Sequence, residues 1–186
     1  MKRLMVDMDH VITNGNMERV LEQYLGFKPD FDKFNGYRKQ EILGDKKSDF
    51  FKWLKDVDYY EKGMLLPSCY NILKKLCEFY EVYIVTDYVW PEKEMIEHNG
   101  KFAADKYKFL LKNLNFMNPR QFVFCCNKTL INCDVKLDDR IDNLSGAETK
   151  LLFTADHNKN IDDNELKKQN IIRVNSWEEV GRVLKL

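Results

Sequence analysis

The chain reads as an α/β domain: a parallel sheet with helices on both faces and a small helical insertion. Three observations carry that reading. Short apolar runs recur along the chain, separated by stretches with helical spacing. Such alternation requires crossover connections, which are right-handed and make the strands parallel. Between Phe27 and about Gly63 the alternation lapses, and aromatics crowd in without any strand pattern. Finally, acids, a threonine and a lysine stand just past the ends of successive apolar runs, where sheets of this kind hold their ligands.

Leu4-Met5-Val6 is the first strand, a buried apolar run. Met17, Val20, Leu21, Tyr24 and Leu25 then recur at helical spacing until Gly26 stops the helix. The aromatic stretch carries Phe31, Phe34, Tyr37, Phe50, Phe51, Trp53, Tyr59 and Tyr60, with Ser48 expected to cap a short helix bearing Phe50, Phe51 and Leu54. Residues 16–63 are therefore expected to form a small helical cap over the mouth of a core made of 1–15 and 64–186. Most of the aromatics should pack the insertion itself. Leu66-Pro67-Ser68 opens a helix with Ile72, Leu73, Leu76 and Cys77 on one face, and Glu81 to Thr86 is the second strand. After the interruption at Pro91, a helix from about Phe102 to Leu114 is expected to carry Tyr107, Leu110, Leu111 and Leu114 inward. Asn118-Pro119 ends that connection. Gln121 to Cys125, Val135-Lys136-Leu137, Leu151 to Thr154 and Ile171 to Val174 are the later strands. Ser176 and Glu179 have capping-box spacing and start a last helix with Val180, Val183 and Leu184.

At 186 residues with 44% apolar content, the chain suits one core with an insertion. Lys and Arg total 30, as do Asp and Glu, so no charge excess draws the chain to nucleic acid or an anionic membrane. No apolar stretch approaches the roughly 20 residues that span a bilayer. The first strand begins at once, leaving no room for a signal peptide. Cys69, Cys77, Cys125, Cys126 and Cys133 are odd in number and lack C-x-x-C spacing, which fits reduced thiols in a cytoplasm. No histidine lies near a cysteine at zinc-ligand spacing.

The chemistry concentrates in Val6 to Asn14. Asp7 and Asp9 are two apart, so an extended backbone turns both carboxylates to one side. Their charges repel and raise each other's pKa, and a divalent cation removes that penalty. Hard oxygen ligands suit magnesium. A carboxylate held against such a cation attacks phosphorus, while a second one hands a proton to the leaving oxygen. The other strand ends add Thr86, then Asn127 and Lys128, then Asp138 and Asp139. Each has a plain explanation alone, as a helix cap, a solvated loop residue or a turn. Together they place four carboxylates, a hydroxyl and an ammonium on one face.

This pattern resembles the haloacid dehalogenase-like (HAD) phosphohydrolases, with Asp7-x-Asp9, Thr86, Lys128 and Asp138-Asp139 matching their four motifs. More narrowly it is similar to the 5'(3')-deoxyribonucleotidases, the cytosolic type C nucleotidases. The stretches that carry this are Val6 to Asn14, Gln121 to Cys126 with Lys128, and Leu137 to Arg140 with Asp142-Asn143. Leu152-Phe153-Thr154-Ala155 with His157-Asn158 and the closing Asn175-Ser176-Trp177 complete it. The resemblance implies a Rossmann-like fold of HAD type, with Asp7 as the nucleophile that becomes an aspartyl-phosphate and Asp9 as general acid/base. It implies one magnesium held by Asp7, the backbone carbonyl of Asp9 and Asp139, with Asp138 in support. Thr86, Lys128 and Lys106 would hold phosphoryl oxygens. Tyr37 is the nearest counterpart in position to the aromatics that flank the base in the animal enzymes, and Arg38 beside it is placed to bond base or sugar oxygens. The implied partner is a nucleoside monophosphate, not nucleic acid or membrane, for a cytoplasmic monomer or homodimer.

Three positions depart from the family. Asn14 stands where Asp is usual, Asp87 where a small residue follows the threonine, and His10 where Gly or Glu is usual. They leave room for a phosphatase of another small phosphomonoester, or for a nucleotide-binding relative with weakened turnover. A phospho-acceptor receiver uses similar residues, but its acidic pair precedes the acceptor, the reverse of the order here.

Overall fold

Each of the six predicted runs becomes a strand. The structure, a computed structural model, describes residues 1–31 and 36–186, and the side chains of residues 36–38 stand outside that description. The strands are β1 (Lys2–Val6), β2 (Tyr80–Thr86), β3 (Phe122–Phe124), β4 (Cys133–Asp138), β5 (Ala147–Phe153) and β6 (Ile171–Val174). They form one sheet in the order β3-β2-β1-β4-β5-β6, and every neighbouring pair is parallel. The chain builds outward from β1 to β3, then returns to β1's other side with β4. That reversal opens a crevice at the carboxyl ends of β1 and β4, where ligands of doubly wound sheets bind. The Asp7 N–H donates to the Leu137 carbonyl at 2.9 Å, so the two strands stay paired up to the crevice.

The α-helices are α1 (Asn16–Leu25), α2 (Lys47–Leu54), α3 (Cys69–Phe79), α4 (Asn99–Asn113), α5 (Asp163–Lys168) and α6 (Trp177–Val183). A 3₁₀ stretch, Gly36–Lys46, leads into α2 and is broken at Gly44. Gly26 ends α1 in the left-handed conformation (φ 76°) and its N–H returns to the Glu22 carbonyl, as a glycine C-cap does.

Two helices differ from the sequence reading. In α4, Tyr107 and Leu111 face outward, 38% and 39% exposed. Leu110 and Leu114 are buried as expected, but Phe102, Asp105, Lys106 and Phe109 join them in place of Tyr107 and Leu111. The buried stripe is turned toward the preceding residues because the helix brings a lysine and an aspartate inward. In α2, Ser48 is not the cap. The helix starts at Lys47, so Ser48 falls inside the first turn and its hydroxyl donates to Glu94 at 2.6 Å. At α6 the expected cap is present, with Ser176 Oγ accepting from the Glu179 N–H. The return bond lands one residue upstream, from the Asn175 N–H to Glu179 Oε2 at 2.7 Å.

The insertion aromatics pack on one another, Tyr24 against Phe50 and Phe50 against Phe51. They also pack on the rest of the chain: Trp90 contacts Phe51, Tyr59 and Phe102 edge to face. Phe50, Phe51, Tyr59 and Tyr60 thus share one apolar core with Leu4, Val6, Val82 and Ile84 of the sheet. A second small cluster, Leu144, Leu152, Leu166 and Ile171, sits under α5.

Trp177 fastens this core to the crevice. It is 1% exposed, and its indole N–H donates to the Val11 carbonyl, in the loop after β1, at 2.8 Å. Trp177→Phe keeps most of the apolar surface but removes that donor. Leaving a buried carbonyl unpaired costs about 1–3 kcal/mol, so urea unfolding should show a loss of that size with little change in the denaturant slope.

Candidate active site

The loop after β1 is held by its own backbone. Ile12 and Thr13 N–H groups donate to the Met8 carbonyl, and the His10 N–H donates to the Thr13 carbonyl at 2.7 Å. His10 adopts φ 62°, a left-handed conformation that side chains rarely take. Asn14 Oδ1 accepts from the Gly15 N–H at 2.7 Å and lies 2.9 Å from His10 Nδ1. The amide therefore supports the loop without a carboxylate's charge.

This loop delivers Asp7 and Asp9 into the crevice, where two buried lysines meet them. Lys128, from the 3₁₀ turn after β3, places Nζ 2.5 Å from Asp7 Oδ1 and 2.9 Å from Asp138 Oδ2. Lys106, from the inner face of α4, places Nζ 2.5 Å from Asp9 Oδ2 and 2.7 Å from Thr86 Oγ1. Tyr60 donates its hydroxyl to Asp9 Oδ1 at 2.7 Å. Thr86, Lys106, Lys128, Asp138 and Asp139 are all 3% exposed or less. The predicted residues other than Tyr37 and Arg38 thus converge at one place, and the side chains of those two lie outside the described residues.

The electrostatics follow from that burial. Burial pushes the Asp7 carboxyl up to about 6, with Asp138 and Asp9 adding to the shift and Lys128 opposing it. Burial also works against the Asp9 carboxylate, but the Lys106 ammonium and the hydrogen bonds from Lys106 and Tyr60 outweigh it and hold Asp9 below the usual range. Burial disfavours charge on Lys128, yet Asp7 and Asp138 keep it above the ordinary lysine value.

Asp7, Asp138 and Asp139 each present a carboxylate oxygen, all within 4.8 Å of one another and all buried. Asp9's carboxylate lies outside this group, taken up by Lys106 and Tyr60. Asp138 already accepts from the Arg140 N–H, the Asn143 amide and Lys128. Such an all-oxygen set of buried carboxylates fits a hard dication.

Behind Asp139 stands the stretch Phe153 to Asn158. The Asn158 amide donates to the Asp139 and Phe153 carbonyls, both at 2.8 Å, and His157 Nε2 lies 3.0 Å from the Asp139 carbonyl. The crevice opens into a cavity of about 600 Å³ lined by Asp7, Asp9, Lys106 and Lys128 together with Lys39, Gln40, Tyr59 and Tyr60 from the stretch between β1 and β2. Asp87 also lines it, with Oδ1 engaged by the Val89 N–H. Two residues of this site escaped the sequence reading. Tyr60 was one aromatic among many, and Lys39, 7% exposed and paired with Glu18 and Asp156, had no spacing to mark it.

Comparison with known proteins gives the same direction. The family described as 5' nucleotidase, deoxy (pyrimidine), cytosolic type C protein (NT5C) matches residues 1–186. The 5'(3')-deoxyribonucleotidase of Bacillus subtilis (strain 168) is 28% identical over 190 residues, covering 98% of each chain. Two solved structures share the fold at low identity. A haloacid dehalogenase-like family hydrolase from Streptococcus pneumoniae superposes with a TM-score of 0.54 at 14% identity, covering 98% of each chain. YfnB of Bacillus subtilis, solved with magnesium bound, gives 0.57 at 12% identity over 100% of this chain and 99% of its own.

The raised Asp7 would set a pH dependence for any dication held through its carboxylate. Below about 6 the carboxyl holds a proton in the metal-free protein, and a cation must expel it. Affinity for magnesium, measured by titration calorimetry, should therefore fall by up to about tenfold per pH unit below that point and level off above it.

Proposed function

The chain belongs to this family of cytosolic type C 5'-nucleotidases, hydrolases of phosphoric monoesters with an HAD-type fold, and we propose that it dephosphorylates (deoxy)ribonucleoside monophosphates with magnesium through an aspartyl-phosphate on Asp7. The observation that carries this reading is the pairing of Asp7 with Lys128 and of Lys106 with both Asp9 and Thr86 across one crevice.

In this reading Asp7 attacks phosphorus with a carboxylate oxygen, forming the acyl phosphate as the bond to the nucleoside oxygen breaks. Asp9 protonates that leaving oxygen. A phosphate dianion would draw on the Lys106 ammonium, and Asp9, released from its partner, would then hold the proton it must give. Asp9 next takes a proton from water, which attacks the acyl phosphate, frees inorganic phosphate and restores Asp7. Lys128, Lys106 and Thr86 hold the phosphoryl oxygens, where negative charge builds in transfer. Asp7, Asp139, Asp138 in support and the Asp9 carbonyl would hold magnesium, which supplies positive charge beside those oxygens. Magnesium in the B. subtilis structure of this fold supports that part. The cavity walls contributed by residues 39–40 and 59–60 support residues 16–63 as a cap, with Tyr37 stacking on the base and Arg38 bonding base or sugar oxygens. Five free cysteines support a cytoplasmic setting, and among the described residues no helix is long and apolar enough to cross a membrane.

Phosphate release from a panel of nucleoside monophosphates and sugar phosphates tests the substrate class; preference for a sugar phosphate would instead favour another small phosphomonoester. Excess EDTA should abolish turnover and magnesium restore it. Asp7→Asn should fold normally yet lose at least about a hundredfold in rate, since an amide cannot form the acyl phosphate. Tyr37→Ala should lower catalytic efficiency for a nucleotide by about 5- to 150-fold, from a stacking contribution of about 1–3 kcal/mol. It should leave p-nitrophenyl phosphate, which has no base, nearly unaffected; equal loss on both substrates would make Tyr37 structural.

A further inference from the structure

Lys136 sits in β4, paired with Met5 of β1 and Lys150 of β5. An interior strand of a parallel sheet ordinarily carries apolar residues there, and Lys136 is 0% exposed. Its ammonium donates to three backbone carbonyls: Lys128 at 3.0 Å, Asn143 at 3.0 Å and Ser145 at 2.6 Å. An ammonium has three donors, so all are used.

Those carbonyls belong to two loops that deliver the site. Lys128 opens the turn after β3, and its Nζ bridges Asp7 and Asp138. Asn143 follows β4, and its amide holds Asp138 Oδ1 at 3.0 Å. One buried cation therefore ties the main chain of Lys128 to the main chain of the residue that orients Asp138. A Leu or Met would fill the same space without the cost of burying a charge, but would leave the two loops unjoined.

We infer that Lys136 is a positioning residue that sets Lys128 and Asp138 against Asp7. For its kinetic consequence this rests on the phosphatase reading. Partners in the layer behind reacting groups are typically worth about 10- to 100-fold in activity, so Lys136→Met should lower kcat for p-nitrophenyl phosphate by about that factor, with KM shifted less than about threefold. If Lys136 works through Lys128, a second substitution should add little: in a Lys128→Met background, Lys136→Met should cost less than about threefold more. An unchanged kcat in folded Lys136→Met, or a full repeat of its loss in the Lys128→Met background, overturns the inference. Should Lys136→Met fail to fold, Lys136→Gln, which keeps two donors, carries the same cycle with the same overturning results. A wild-type protein that hydrolyses nothing would overturn the phosphatase reading instead. The placement is then read from crystals of the Lys136 variant, where Lys128 Nζ should have left Asp7 or Asp138; an unmoved Lys128 overturns the inference.

Discussion

Mutual repulsion among buried carboxylates is the constraint on which the rest of this structure depends. Asp7, Asp138 and Asp139 bring carboxylate oxygens within 4.8 Å of one another because β1 and β4 are neighbours and end at the same level, and Asp9 follows two residues after Asp7. Burying such charges is prohibitive unless cations accompany them. The fold answers from two directions, with Lys128 arriving from the β3–β4 connection and Lys106 from α4. Because the lysines are themselves buried, each holds its carboxylate in place as firmly as it is held. An all-oxygen cluster of this kind suits a dication, and only with that positive charge in place would phosphate oxygens be favoured beside the same lysines.

That constraint explains several oddities of packing. An α4 stripe that placed Tyr107 and Leu111 inward would be more apolar, but it would carry Lys106 away from Asp9. The helix instead buries Asp105 and Lys106, with Lys106 Nζ 5.3 Å from the Phe102 ring centroid and 5.7 Å from that of Tyr60, where aromatic faces help shelter the charge. Asp105 is compensated by Lys101 at 2.6 Å. Likewise β4 accepts a lysine in its interior because three loop carbonyls are there to receive it.

Much of this was legible in the sequence, and the reasons are physical. Parallel strands buried on both faces read as mostly apolar runs, so all six were visible even with Lys136 in β4 and Arg173 in β6, and polar residues just past their ends stand at the crevice by topology alone. What failed was phase and long-range pairing. The turn of α4 could not be set by hydrophobicity when two charged residues face the core. Ser48 looked like a cap until Glu94, distant in sequence, offered its hydroxyl a partner. Tyr60 and Lys136 escaped because their roles depend on Asp9 and on three carbonyls that only the fold brings near.

The stretch Phe153 to Asn158 shows how a local signature and a long-range contact become one device. Asn158 and His157 reach the Asp139 carbonyl, fixing the acidic pair from behind. Asp156, between them and Ala155, reaches the other way and pairs with Lys39, in the stretch before α2, at 3.0 Å, and Glu18 of α1 also engages that lysine. Lys39 stays charged because the hydrogen bonds and charges of Glu18 and Asp156 outweigh its burial, raising its pKa. This turn thus braces the acidic cluster with Asn158 and His157 and, through Asp156, holds Lys39 of the cavity lining. A substitution that loosened the turn would disturb both the acidic cluster and the Lys39 side of the cavity at once.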